Sequence, residues 1–377
     1  MILWIGLIGT VLAILVGGLL YVSFRAACFP AVQKLSRGSR SRARWICFAC
    51  FAGLTILLWV LWNFINAAVC LLHLAVIWMV VDLVARIVQR IRKKQPARYW
   101  AGTVALILCA LWLAGGWVAD HHVWTKEYIF ETDKVDREVR LVQISDAHIG
   151  ATFHADGFLR HMKRVNDLHP DLVVVTGDFV DDDTSRVDML EACAALGKLN
   201  APDGVYFVFG NHDKGYYSES GRGWSEAELR QALEDAGVRV LEDECSNAGE
   251  CLLIAGRKDR SEERLGGRLS PEQLLAGVDR KRYIVLLDHQ PHDFDAEAAA
   301  GADLVLCGHT HGGQFIPMRR VGEWIGENAL CYGHERRQNT DFVVSSGISN
   351  WALQFKTGCR SEIVVIDLRS REAGADC

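Results

Sequence analysis

Residues 139–148 read Val-Arg-Leu-Val-Gln-Ile-Ser-Asp-Ala-His: an apolar run, Val139–Ile144, that stops at a carboxylate and an imidazole two positions apart, Asp146 and His148. The same construction recurs downstream. Leu172–Thr176 leads into Gly177-Asp178, and Val205–Phe209 into Gly210-Asn211-His212-Asp213. Tyr283–Leu287 leads into Asp288-His289, and the shorter Leu304–Cys307 into Gly308-His309-Thr310-His311-Gly312-Gly313. Short runs rich in Val, Ile and Leu read as buried strands. In α/β sheets ligands gather outside the carboxyl ends of the strands, so side chains far apart in sequence can converge there.

The residue types suit cations. A carboxylate directly after a wholly apolar run, as at Asp178, is costly unless it is paired or metal-bound, and its two oxygens can bridge two ions. Asp181, Asp182 and Asp183 read instead as solvated turn residues. Asn211 offers a neutral carbonyl oxygen and His212 a proton donor beside it. His289 ends another strand run, with Asp288 and His292 as supporting or surface groups. On a glycine-rich turn His309 and His311 can diverge to serve two adjacent ions. Imidazole, carboxylate and amide oxygen without thiolate suit Mn, Fe or Zn.

In this order D-x-H, G-D, G-N-H-D, a lone His and G-H-x-H resemble the calcineurin-like metallophosphoesterase superfamily, over about residues 138–368. The stretches SDAHIG, TGDFVD, GNHD, GHTHGGQ and SEIVVIDL look like its bacterial membrane-attached branch, except that Ser361 stands where that branch usually has proline. The resemblance implies a four-layer α-β-β-α sandwich with two divalent metal ions. It assigns Asp146, His148, Asp178 and His311 to the first ion and Asp178, Asn211, His289 and His309 to the second. His212 matches the superfamily's non-ligand catalytic histidine near the leaving group. Two cations roughly 3.5–4 Å apart would activate a bridging water for in-line attack on phosphorus. The expected activity is hydrolysis of a phosphomonoester, phosphodiester or lipid-linked pyrophosphate.

Working outward, the chain has two unlike parts. Of its 377 residues, those before residue 120 contain one acidic side chain, Asp82, and 12 of the 41 Lys and Arg. The remainder holds 29 basic against 45 acidic residues, a formal −16. Four apolar stretches, about 2–23, 45–62, 66–84 and 100–118, approach the ~20 residues that a spanning helix needs. The third, with His73 and Asp82, is the weakest, and Asn63 and Asn66 mark a tight hairpin before it. These spans predict an all-α membrane domain over 1–118, a linker over 119–137, a phosphoesterase domain over 138–370 and a tail over 371–377. Within the phosphoesterase domain, helices are expected over Phe158–Leu168, Val187–Leu199 and Ser225–Ala236, and a short one from Pro271.

Basic residues set the orientation. Arg25, Lys34, Arg37, Arg40, Arg42 and Arg44 fill the first loop, and Arg86, Arg90, Arg92, Lys93, Lys94 and Arg98 the third, while the second has no charge. The positive-inside rule puts both basic loops in the cytoplasm and the catalytic domain outside it, in a multi-pass protein of the cell membrane. Cys245 and Cys251 flank a polar turn, and a disulfide between them is expected in that oxidising compartment. The acidic charge of the domain argues against nucleic acid, whose binding rests on neutralising phosphates with Lys and Arg. Arg257, Lys258, Arg260, Arg264 and Arg268, interleaved with acids, read as a solvated loop face. A substrate at the bilayer surface, a lipid-linked phosphate or cell-envelope phosphodiester, fits the anchor better. The alternatives are a non-catalytic membrane scaffold or sensor, which an intact ligand set disfavours, and a transporter working through His73 and Asp82.

Overall fold

Strands that are apolar on both faces need cover on both sides, and the C-terminal part of the chain provides it by stacking two sheets between helices. The computed structural model describes residues 2–93, 99–215, 222–316 and 318–371. The chain divides into two compact units, Met1–Gly115 and Gly116–Cys377.

In the second unit one sheet runs β1 (Trp124–Thr132), β12 (Glu362–Ser370), β2 (Val139–Ile144), β3 (Leu172–Thr176), β4 (Gly204–Val208) and β5 (Arg239–Val240). The other runs β10 (Gly333–Arg337), β11 (Thr340–Val344), β9 (Leu304–Cys307), β8 (Tyr283–Leu287), β7 (Leu252–Gly256) and β6 (Glu244–Ala248). Leu141, Val174 and Val208 of the first sheet meet Ile254, Val285 and Leu306 of the second in one core. Helices Ala155–Asp167, Arg186–Leu196 and Glu226–Asp235 cover the outer face of the first sheet through Phe158, Met162, Met189 and Leu229. Pro271–Leu274 and Phe294–Ala299 cover the second. The result is a four-layer α-β-β-α sandwich. Three of these five helices begin at a capping serine: Ser185 Oγ accepts from Asp188 N and Ser225 Oγ from Glu228 N, both at 3.1 Å, and Ser270 with Gln273 forms a capping box. β2, β3 and β4 are mutually parallel, as are β8 and β9, so each sheet gathers its ligand-bearing loops at one end.

Several expectations change. Residues 119–137 contain a strand: helix Ala101–His121 runs to its last residue without a break, and β1 pairs in parallel with β12 from Trp124↔Glu362 to Thr132↔Ser370. As an edge strand, β1 buries only alternate side chains such as Phe130, and its polar remainder gives it a linker's composition. Cys245 and Cys251 are free thiols. The hairpin forms, but its register sets Cys245 opposite Ala255 and leaves Cys251 ahead of β7. The basic stretch is no solvated face either. Arg257 is buried, its Nη1 2.6 Å from Asp288 Oδ2 and 3.2 Å from Glu297 Oε1, and Arg268 Nη2 donates to the same Asp288 oxygen at 2.5 Å. Arg and acid alternate there because they neutralise one another inside. The Arg264 side chain and residues 372–377 lie outside the described residues, as do Lys94 and Arg98.

Four helices, with spans at Gly9–Ala26, Arg40–Leu61, Phe64–Arg92 and Ala101–His121, are long and apolar enough to cross a membrane. The third is the longest and most buried rather than the weakest. Asn63 caps it, accepting from Asn66 N at 2.8 Å. Asp82 is held by Arg25 Nη2 and Tyr21 Oη, both at 2.6 Å, so this carboxylate is committed to helix packing.

Candidate metal centre

Five loops leave the strand ends and bring their polar side chains together. The ligand-type atoms of Asp146, His148 and His311 lie within 4.8 Å of one another, as do those of Asp178, His289 and His309. Asp178 stands between the groups: its Oδ2 is 3.1 Å from His289 Nε2 and 3.7 Å from His148 Nε2. Asn211 joins the second, with Oδ1 2.9 Å from His309 Nδ1 and 3.2 Å from His289 Nε2. In the first, His311 Nε2 is 3.2 Å from His148 Nε2 and 3.6 Å from Asp146 Oδ1.

The backbone is contorted to achieve this. Asp146, His148, Asp178, His309 and His311 have φ of 53°, 38°, 51°, 72° and 47°. Left-handed conformations at non-glycine residues cost about 1–3 kcal/mol each and persist where the surroundings impose them. Gly177, with φ 81°, lets two loops touch: a Cβ there would fall 2.6 Å from both Gly210 N and His289 Nδ1. Five loops crowd on one point, so most ligand-type positions cannot relax.

Supporting groups fix the imidazoles. His289 Nδ1 is 2.7 Å from Thr176 O, and because a carbonyl only accepts, Nδ1 carries the proton and Nε2 turns a lone pair towards Asp178. His148 Nδ1 lies 3.3 Å from Asp181 Oδ2, a carboxylate placed to pair with this ring. Burial lowers the His148 pKa, but Asp181, Asp178 and Asp146 outweigh it and raise the value overall. Asp178 is held well below the usual carboxylate range: burial opposes its charge, and His289 and His148 more than compensate. Lone pairs converging from imidazoles, carboxylates and an amide, with no thiol among them, fit borderline divalent ions.

Two further aspartates support the site. Asp181, expected to be solvated, is the buried partner of His148. Asp213 is fully buried, and its carboxylate accepts four backbone N–H bonds, from Phe179 and Val180 at Oδ1 and from Asp178 and Gly210 at Oδ2, all within 3.0 Å. It staples the loop after β3 to the loop after β4. Its place in the G-N-H-D stretch was the only signal available. Asp288 lies in the arginine network behind His289, while His292 is half-buried and paired with Asp293.

His212 belongs to neither ligand group. Its backbone N–H donates to Asp178 Oδ1 at 2.9 Å, and its ring centre is 5.0 Å from that of His148 and 5.3 Å from that of Trp351. Burial lowers its pKa. A cavity of about 470 Å³ opens beside Asn211 and His309, lined also by Arg260, Ser261 and Gln290.

The calcineurin-like phosphoesterase family model matches residues 139–313, from the start of β2 through the His309–Gly313 turn. An uncharacterised metallophosphoesterase of Aquifex aeolicus is 38% identical over 196 residues, covering 50% of this chain and 69% of that protein. A transmembrane protein with a metallophosphoesterase domain from Danio rerio is 33% identical, over 61% of this chain and 53% of its own length. The uncharacterised metallophosphoesterase YkuE of Bacillus subtilis is 27% identical, over 71% and 94%. This chain thus spans about half of the fish protein and most of the two bacterial ones. The matched segment contains every loop that supplies a ligand-type side chain, and the Aquifex relative is matched over more than two thirds of its length: the chain belongs to the calcineurin-like metallophosphoesterase family.

Proposed function

We propose that this protein is a membrane-anchored, two-metal phosphohydrolase that works outside the cytoplasm on a phosphomonoester, phosphodiester or lipid-linked pyrophosphate. The observation that carries the reading is the Asp178 carboxylate, 3.1 Å from His289 on one side and 3.7 Å from His148 on the other. In this reading Asp146, His148, Asp178 and His311 hold one divalent ion, and Asp178, Asn211, His289 and His309 the other. Mn, Fe or Zn suits the donors. Bound there, the pair supplies Lewis-acid charge and lowers the pKa of water at the site.

The chain's own groups do the rest. Thr176 keeps Nε2 of His289 aimed inward, and the Asp181 carboxylate lies beside the His148 ring. His212 lies outside the ligand groups, and burial lowers its pKa. Its ring N–H donates to the departing oxygen and stabilises the charge that develops there. The cavity beside Asn211 and His309 has room for the rest of the substrate, and its lining is polar, with Arg260 set among Glu263 and Glu327.

Metal content and turnover, measured together, test the assignment. Asp178→Asn should lower both. His212→Ala should keep the metals and slow turnover by ~10²–10⁴-fold, with a smaller loss for an aryl phosphate than for an alkyl phosphate. Loss of metal from His212→Ala, or full activity on an alkyl phosphate, would remove His212 from its role. A scaffold would bind metal and turn over none of these esters.

A further inference from the structure

The chain leaves the His309–Gly313 turn through a segment whose composition is unlike the rest of the surface. Ile316, Met318, Trp324 and Ile325 are 50%, 41%, 74% and 67% exposed. Single exposed apolar side chains are ordinary, but four within ten residues form a patch, and patches mark contact surfaces. Arg319 and Arg320 are interleaved with them, and the Arg320 side chain is 69% exposed although its Nε lies 3.4 Å from Glu323. Trp and Arg beside aliphatic side chains are suited to a bilayer interface, where rings and stems sit among the upper acyl chains and cations meet lipid phosphates.

Hydrogen bonds show what lies next to this patch. Gln314 O accepts from Thr357 N at 3.0 Å and Gly358 N at 3.1 Å, and Ile316 N donates to Thr357 Oγ1 at 3.3 Å. On the same 355–361 loop, Lys356 N donates to Gly116 O and Ser361 N to Ala119 O, both at 2.9 Å. Gly116 and Ala119 are in the last turns of helix Ala101–His121, long and apolar enough to span. Trp117, beside them, is 51% exposed. One short loop therefore connects the apolar patch to the last turns of helix Ala101–His121.

We propose that Ile316 and residues 318–325 form a docking edge that rests on the phospholipid bilayer, immediately downstream of the metal-site turn. A bilayer suits the patch better than a second copy of the chain: Trp324 with Arg319 and Arg320 is the composition that lipid headgroups take, and the loop bonded to this segment is bonded also to the end of helix Ala101–His121, long and apolar enough to span. If the site is a phosphohydrolase, as proposed above, this edge sets its mouth at headgroup level and makes the substrate a membrane lipid with a phosphorylated headgroup. The docking itself does not depend on that activity.

The test uses the full chain in nanodiscs of phosphatidylcholine and phosphatidylglycerol, with a benzophenone amino acid at position 324 or, in a separate chain, at position 318. Position 129 is the control. Ile129 is 53% exposed on β1 and pairs with Asp367, at the end of the sheet away from the metal loops. Irradiation and mass spectrometry should give lipid adducts at 324 and 318 and none above background at 129. Adducts joining two copies of the chain, lipid adducts at neither position, or equal labelling at 129 would each overturn the proposal. Catalysis plays no part in the readout, so a failed activity assay leaves this result standing.

Discussion

Asp213 shows how much a residue with no chemical role can decide. Each of its oxygens accepts two backbone N–H groups from the loops that carry Asp178 and Asn211. Asp213→Ala strands four buried donors at about 1–3 kcal/mol apiece, not fully additive, so the expected loss is at least ~3 kcal/mol. Asp213→Asn keeps one accepting oxygen and turns an amine towards the other two donors, so it should fall between. Thermal unfolding of the three proteins checks the order, and metal affinity should decline with it. The seven ligand-type residues were legible because their side chains are costly at the ends of apolar runs unless something binds them. Asp181 and Asp213 were not, because a turn aspartate and a buried staple look alike until the fold shows which N–H groups surround them.

At the level of elements, apolar periodicity located the central strands, and β2, β3, β8 and β9 begin and end where the sequence placed them. Edges were harder to read. β1 is solvated on one side and looks like linker, since its identity comes from pairing with β12, more than 200 residues away. The β6–β7 hairpin makes a related point, because cysteines flanking a turn are bridgeable only if the register sets them opposite. It sets Cys245 against Ala255. Alkylation of the denatured, unreduced protein should therefore find Cys245 and Cys251 both modified, and recovery of a peptide disulfide between them would show the hairpin in a different register.

Across the whole molecule, the split between a basic apolar part and an acidic part was plain in the composition. Asp82, an intramembrane acid that sequence alone leaves open to a transport role, is tied to Arg25 and Tyr21. Basic residues in the first and third loops predict orientation: reporter fusions after residues 40, 64, 95 and 125 should read inside, outside, inside and outside. An inside reading at 125 would reverse the proposed side of the catalytic unit. The unbroken helix Ala101–His121 has a further consequence. Its last turns already belong to the second unit. For the lipid substrate proposed above, encounters would take place in two dimensions, by lateral diffusion, and the quantity that sets the rate would be surface density. In proteoliposomes, diluting a lipid phosphate with inert phospholipid should slow hydrolysis in proportion, while diluting the same vesicles into more buffer should leave the rate per vesicle unchanged.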